Sequence, residues 1–163
     1  MKVLLFFFAC MSVASAQTAK PLSAFLGHWE SSANFYKTSM SEAKNISAKT
    51  DCTWSPQQRY LVCEQTVNDG DKPTVQLSMF APLEGETFRF YRLAGTGDPH
   101  SGKVNISGSI WTWDDTFDNG KGGKTEIRTT NTFHGDEEIF KTEFSENGGP
   151  WTTMLEGKAH RTK

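Results

Sequence analysis

The stretch Phe25-Leu26-Gly27-His28-Trp29 decides how the chain is read. Ahead of it, Pro21 can open a helical turn, and Leu22, Phe25 and Leu26 recur at helical spacing. Behind it the period drops to two, so Gly27 marks the hinge between a short helical lead and a first β-strand. Trp29, with a large apolar ring and one N–H donor, is best used low in a barrel, where the ring caps the core and the indole nitrogen still reaches a partner. The chain closes on His160-Arg161, and a cation from that last strand can lie across the indole face. The two ends of the folded part are therefore expected to meet.

Trp29, Ser31, Ala33 and Phe35 alternate with Glu30, Ser32, Asn34 and Tyr36, the pattern of a half-buried strand. After a break at 39–42, further strands are expected over 45–54, 60–68, 74–81, 87–93, 103–107, 109–116, 124–133, 138–145 and 151–161. Turn signals separate them at Asn68-Asp69-Gly70-Asp71, Pro82-Leu83-Glu84-Gly85, His134-Gly135-Asp136 and Asn147-Gly148-Gly149-Pro150, and a glycine-rich connection is expected over 94–102. No helical pattern long enough for a crossover lies between them. The expected fold is therefore all-β: a single antiparallel up-and-down barrel of about ten strands with a short N-terminal helical turn, closed so that no edge is exposed.

A length of 163 residues suits one domain. Residues 1–16 read as a signal peptide: Lys2 is a minimal basic region, 3–11 is an apolar run far too short to span a bilayer, and Ala14-Ser15-Ala16 is a small-residue cleavage site. Cleavage near Ala16/Gln17 would leave a barrel domain over 17–163 in a secreted or periplasmic location. No later stretch reaches the roughly 20 apolar residues that a membrane helix needs. Loss of Lys2 leaves 16 basic against 19 acidic residues, a balance that argues against nucleic acid or an anionic membrane as partner.

Loss of Cys10 leaves Cys52 and Cys63. With a hairpin loop at 56–59, residues whose numbers sum to 115 face each other, which sets Cys52 opposite Cys63, Trp54 opposite Leu61 and Thr50 opposite Gln65. A cross-strand disulfide is expected, suited to an oxidising compartment.

Gly27-His28-Trp29 behind a helical turn, about ten strands, and Arg161 in the last of them together resemble the lipocalin-like (calycin) barrels. Those families carry a G-x-W motif on the first strand and an arginine near the end that packs on the tryptophan, which implies structural roles for Gly27, Trp29 and Arg161. The tail from Phe144-Ser145-Glu146-Asn147-Gly148-Gly149-Pro150-Trp151 to Glu156 and Arg161 is similar, more specifically, to the secreted bacterial domain-of-unknown-function family 1579. The strand count and the lack of a helix after the barrel differ from typical lipocalins, so their ligand behaviour is not carried over.

Chemistry is sparsely signalled. The histidines His28, His100, His134 and His160 show no H-x-x-H or H-E-x-x-H spacing. The parity that turns Trp29 and Arg161 inward also turns Leu155, Gly157 and Ala159 inward and His28 and His160 outward, while His100 and His134 fall in turns. Nitrobindin-like barrels, which barrels of this type resemble, hold haem through one histidine, and an outward His160 speaks against that role here. No metal and no cofactor is expected. No serine sits in a G-x-S-x-G elbow, and no free thiol is left once the disulfide forms. The adjacent pairs Asp114-Asp115 and Glu137-Glu138 point to opposite faces of their strands and read as solvated strand-end and turn carboxylates.

Aromatic residues inside strands carry the remaining signal. Phe88, Phe90, Trp111 and Trp113, with Arg89, Tyr91 and Arg128, are the candidate ligand-binding residues of the barrel interior, and Arg92 is a further cation for an anionic ligand. The expected function is non-catalytic binding of a small apolar or amphipathic molecule. The alternatives are a barrel-interior enzyme, isomerase- or hydrolase-like, using Arg89, Tyr91 or Glu126, and a ligand-free structural or interaction protein.

Overall fold

A computed structural model describes residues 20–70, 72–84, 86–95, 99–120 and 122–163. The expected signal segment, 1–16, and its cleavage site lie outside the described residues. A 3-10 turn, Lys20–Phe25, leads into β1 (Gly27–Phe35), and β2 (Lys44–Trp54), β3 (Leu61–Asn68), β4 (Thr74–Glu84) and β5 (Thr87–Leu93) follow. The chain goes on through β6 (Pro99–Ser107), β7 (Ile110–Asp118), β8 (Lys124–His134), β9 (Glu137–Glu146) and β10 (Thr152–Thr162). Each strand pairs antiparallel with the next, and β10 returns to pair with β1, so the sheet is a closed barrel. Up-and-down order with full closure leaves no sheet edge to pair with another chain.

Closure rests on the junction anticipated from Trp29 and Arg161, which stand directly opposite each other across β1 and β10. The Arg161 guanidinium lies 4.8 Å from the Trp29 ring centroid, and its Nη2 donates to the Ala24 carbonyl at 2.7 Å. Trp29 Nε1 donates to the Phe25 carbonyl at 3.1 Å. One stacked pair thus holds the 3-10 turn across the bottom of the barrel from both sides. That turn is the plug: Leu22 is fully buried, and the Phe25 ring meets Trp29, Phe80, Trp111 and Phe133 at centroid distances of 5.8–6.4 Å. Gly27 has φ +100°, a region L-residues rarely adopt, and a Cβ there would reach the Arg161 side chain at 3.5 Å.

Alternation along the strands then sorts the faces. Phe88 and Phe90 on β5, Val104 and Ile106 on β6, Trp111 on β7 and Phe133 on β8 are buried with Trp29 in one core cluster. The hairpin register is the expected one: Cys52 faces Cys63, Thr50 faces Gln65 and Trp54 faces Leu61, and the two cysteines are bonded with their Cα atoms 4.1 Å apart.

The differences from the sequence expectation lie at strand boundaries. The Pro82-Leu83-Glu84 segment continues β4 rather than turning, with a register shift between Pro82 and Glu84. Past the Leu61–Phe80 pair β4 has only β5 beside it, so a proline that cannot donate to a ladder is tolerated there. The connection expected over 94–102 is shorter, because β6 begins at Pro99, and His100 is a strand residue rather than part of a turn. His134 likewise closes β8.

Replacing Trp29 with alanine should cost about 3–5 kcal/mol in urea unfolding, as expected for a buried aromatic whose space cannot refill. Reducing the Cys52–Cys63 bridge should remove about 2–3 kcal/mol through the unfolded chain and lower the melting temperature by about 5–10 °C.

Candidate functional site

Above the plug the barrel is not filled. A cavity of about 530 Å³ runs up from Phe25, Trp29, Phe80, Phe90 and Trp113 towards the opposite end of the barrel. Its width has a sequence cause. Gly157 faces Phe140 across β10 and β9, and Gly102 faces Phe90 across β6 and β5. A Cβ at Gly157 would sit 2.4 Å from a Phe140 ring carbon, and one at Gly102 would sit 2.6 Å from a Phe90 ring carbon. Each ring occupies the space its neighbour's side chain would need, and so lies along the wall instead of across the lumen. Ala33, Ala48 and Ala159 add further short wall residues.

Ionisable groups gather at two levels. At the mouth stand Arg92, which faces His100 across β5 and β6, together with Asp115, Lys44 and Asp69. Lys44 Nζ and Asp69 Oδ2 are paired at 2.8 Å; the hydrogen bond and charge of Lys44 hold the Asp69 carboxyl below its usual range. Burial lowers the Arg92 guanidinium from its ordinary value, and the Asp115 carboxylate acts in the opposite direction.

The second level is deep. Glu138 is the first inward residue of β9, only 4% exposed, and opens onto the cavity beside Asn131 of β8, which is 8% exposed. Asn131 Nδ2 donates to Glu138 Oε1. Burial pushes the Glu138 carboxyl up to about 7, against the opposing effect of the Asn131 hydrogen bond. Asn131 Oδ1 and Trp113 Nε1, both buried, have no protein partner.

The expected site residues divide between lumen, core and outer surface. Phe90 and Trp113 line the cavity. Phe88 and Trp111 are fully buried in the packed layer around the plug. Arg89 and Tyr91 stand on the outer face of β5 and are exposed, as is Glu126 on β8. Arg128 is also outside, with Nε 3.0 Å from Asp114 Oδ1 and its guanidinium 4.5 Å from the Trp151 ring centroid. His28 and His160 are exposed on the outer face, as parity requires. Among the described residues no three His, Cys, Asp or Glu side chains are grouped to hold a metal.

Glu138 corrects the sequence reading, which placed it with Glu137 as a solvated turn carboxylate. The signal was present in the parity of the strand: 138 shares its face with Phe140 and Phe144. In the same way Asp115 shares the inward face of Trp111 and Trp113, and His100 falls on the inward face of β6 with Val104 and Ile106.

No protein-family model matches the sequence, and no curated protein does. Solved structures match it in fold. The crystal structure of Rv2717c from M. tuberculosis superposes with a TM-score of 0.64 at 13% identity, covering 90% of this chain and 100% of that one. The structure of the S-type phycobiliprotein lyase CPES from Guillardia theta superposes with a TM-score of 0.60 at 12% identity, covering 88% and 92%. At such identities the likeness is one of fold: a closed, ten-stranded antiparallel barrel.

Proposed function

We propose that the protein binds a small apolar or amphipathic molecule in its barrel lumen, without catalysis, outside the cytoplasm. The observation that carries this reading is the lumen itself: about 530 Å³, within the range of small-molecule sites, aromatic below and charged at the mouth. A ligand with an apolar body and a polar end would match both levels. The likeness to the fold of a phycobiliprotein lyase supports a barrel that handles a small molecule. The Cys52–Cys63 disulfide supports an oxidising location, as does reading 1–16 as a removed signal segment and 17–163 as the mature domain. No helix among the described residues is long and apolar enough to cross a membrane. Membership of the domain-of-unknown-function family 1579 belongs to the same proposal and rests on Gly27, Trp29, Arg161 and the 144–151 tail.

A second reading, catalysis inside the barrel, is favoured by one observation: Glu138 is a buried carboxyl held at about 7, a value suited to moving protons near neutrality. The residues first considered for that role, Arg89, Tyr91 and Glu126, are exposed on the outer face, and a catalytic version would run through Glu138 instead.

Titration with the neutral apolar dye N-phenyl-1-naphthylamine tests the binding reading. The expected result is a saturable fluorescence gain from one site. Ala48→Phe, which fills the lumen wall, should weaken binding at least about tenfold, or roughly 1.4 kcal/mol, while Tyr91→Ala on the outer face leaves it unchanged. Dye binding that survives the first substitution and is lost with the second would place the site outside the barrel.

A further inference from the structure

We propose that Asn131 and Glu138 form a hydrogen-bonding seat at the deep end of the lumen for the ammonium group of a small primary amine, whose apolar body lies against Trp29, Trp113 and Phe140. The proposal deepens the lumen-binding reading and rests on it. Its basis is an imbalance of acceptors over donors at one place. Glu138 and Asn131 are each more than nine-tenths buried, and both face the cavity. Between them the protein supplies a single hydrogen bond, from Asn131 Nδ2 to Glu138 Oε1, and Asn131 Oδ1 has no partner at all. Of the other polar groups of the lumen, Thr129 and Thr142 bond each other at 2.9 Å and Gln65 Nε2 donates to Thr50 Oγ1 at 3.0 Å, while the buried Trp113 Nε1, a donor without a partner, stands opposite Thr129 rather than at this pair.

Charge points the same way. From β8 Glu138 faces Asn131 and Phe133, and from β10 it faces Ala159, none of which is charged. Arg161, the next inward residue of β10, stacks on Trp29, donates to the Ala24 carbonyl and pairs with Asp136 at 3.2 Å, and its unpartnered Nε lies beside Gly27. The other charged lining groups, Lys44, Asp69, Arg92, His100 and Asp115, belong to the mouth. A carboxylate in that position is a buried charge without a counter-ion, which is costly. An ammonium carries three donors and no acceptor, so it supplies the missing cation and reaches both Glu138 and the orphaned Asn131 oxygen. A carboxylate ligand would meet like charge, and an alcohol would gain hydrogen bonds without the ion pair.

The test uses three probes with one skeleton, 4-phenylbutylamine, 4-phenylbutanol and 4-phenylbutyrate, each displacing N-phenyl-1-naphthylamine at pH 8. The amine is expected to bind at least about tenfold more tightly than the alcohol or the acid. Glu138→Gln should remove that preference by weakening the amine about tenfold, whereas Tyr91→Ala on the outer face should keep it. A pH series on the unsubstituted protein gives a second readout. The amine stays protonated throughout and needs Glu138 ionised, and the carboxyl titrates at about 7. Amine affinity should therefore be level above pH 7, fall about tenfold per unit below it, and lose this dependence in Glu138→Gln. Equal affinity for the three probes, or an amine preference that survives Glu138→Gln, overturns the seat while dye binding upholds the lumen. Failure of the dye itself to bind overturns both.

Discussion

The stacking of Arg161 on Trp29 is the contact on which the barrel depends. Neither residue could do the work alone. The indole must bury its ring yet keep its N–H bonded, and the Phe25 carbonyl meets that need. The guanidinium must stay charged beside an apolar plug, and the ring face, the Ala24 carbonyl and Asp136 contact it from three directions, while its buried Nε has no partner. Because Trp29 lies on the first strand and Arg161 on the last, the same contact that seals the floor also fixes how the sheet closes. Gly27 admits the arrangement by taking a positive φ where a side chain would crowd Arg161.

A sealed floor and an open top turn a closed sheet into a container. The aromatic residues concentrate around the plug, with Trp111 and Phe133 at 5.0 Å and Phe80 and Trp113 at 5.1 Å between centroids. Above that layer, small residues and the two ring-over-glycine contacts keep the walls thin. The consequence is a polarity gradient with an exception: apolar below, charged at the mouth, and a single carboxyl–amide pair near the bottom. Burying a carboxyl where an apolar side chain would fit costs stability. A feature of that kind is more readily understood as serving a bound molecule than as serving the fold.

Most of the architecture was legible in the sequence because alternation, turn residues and hairpin arithmetic are local signals. The Cys52–Cys63 register followed from the position of one loop, and the junction of Trp29 and Arg161 from the two ends of the chain. The interior was less legible. Aromatic content drew attention to the whole of β5, yet only the even positions face in, so Arg89 and Tyr91 are outside while Arg92 reaches the mouth. Glu138 and Asp115 were masked by an adjacent acidic residue, which made each look like part of a solvated pair. Composition cannot separate such pairs, whereas tracing the inward face along the whole strand does. Strand extension at Pro82 and at Pro99 was hidden for a different reason: whether a proline ends a strand depends on which neighbour it would have to donate to, and that is a property of the assembled sheet.

The indole N–H resonances of the protein report on floor and lumen at once. Trp29 Nε1–H is bonded to a backbone carbonyl of the plug, whereas Trp113 Nε1–H is buried at the cavity without a partner. With a sealed floor and an accessible lumen, a 15N-labelled sample titrated with N-phenyl-1-naphthylamine should show the Trp113 indole signal shifting, while the Trp29 indole N–H exchanges slowly with solvent before and after the dye is added. A Trp29 indole N–H that exchanges fast, beside an unmoved Trp113 signal, would contradict both the seal and the site above it.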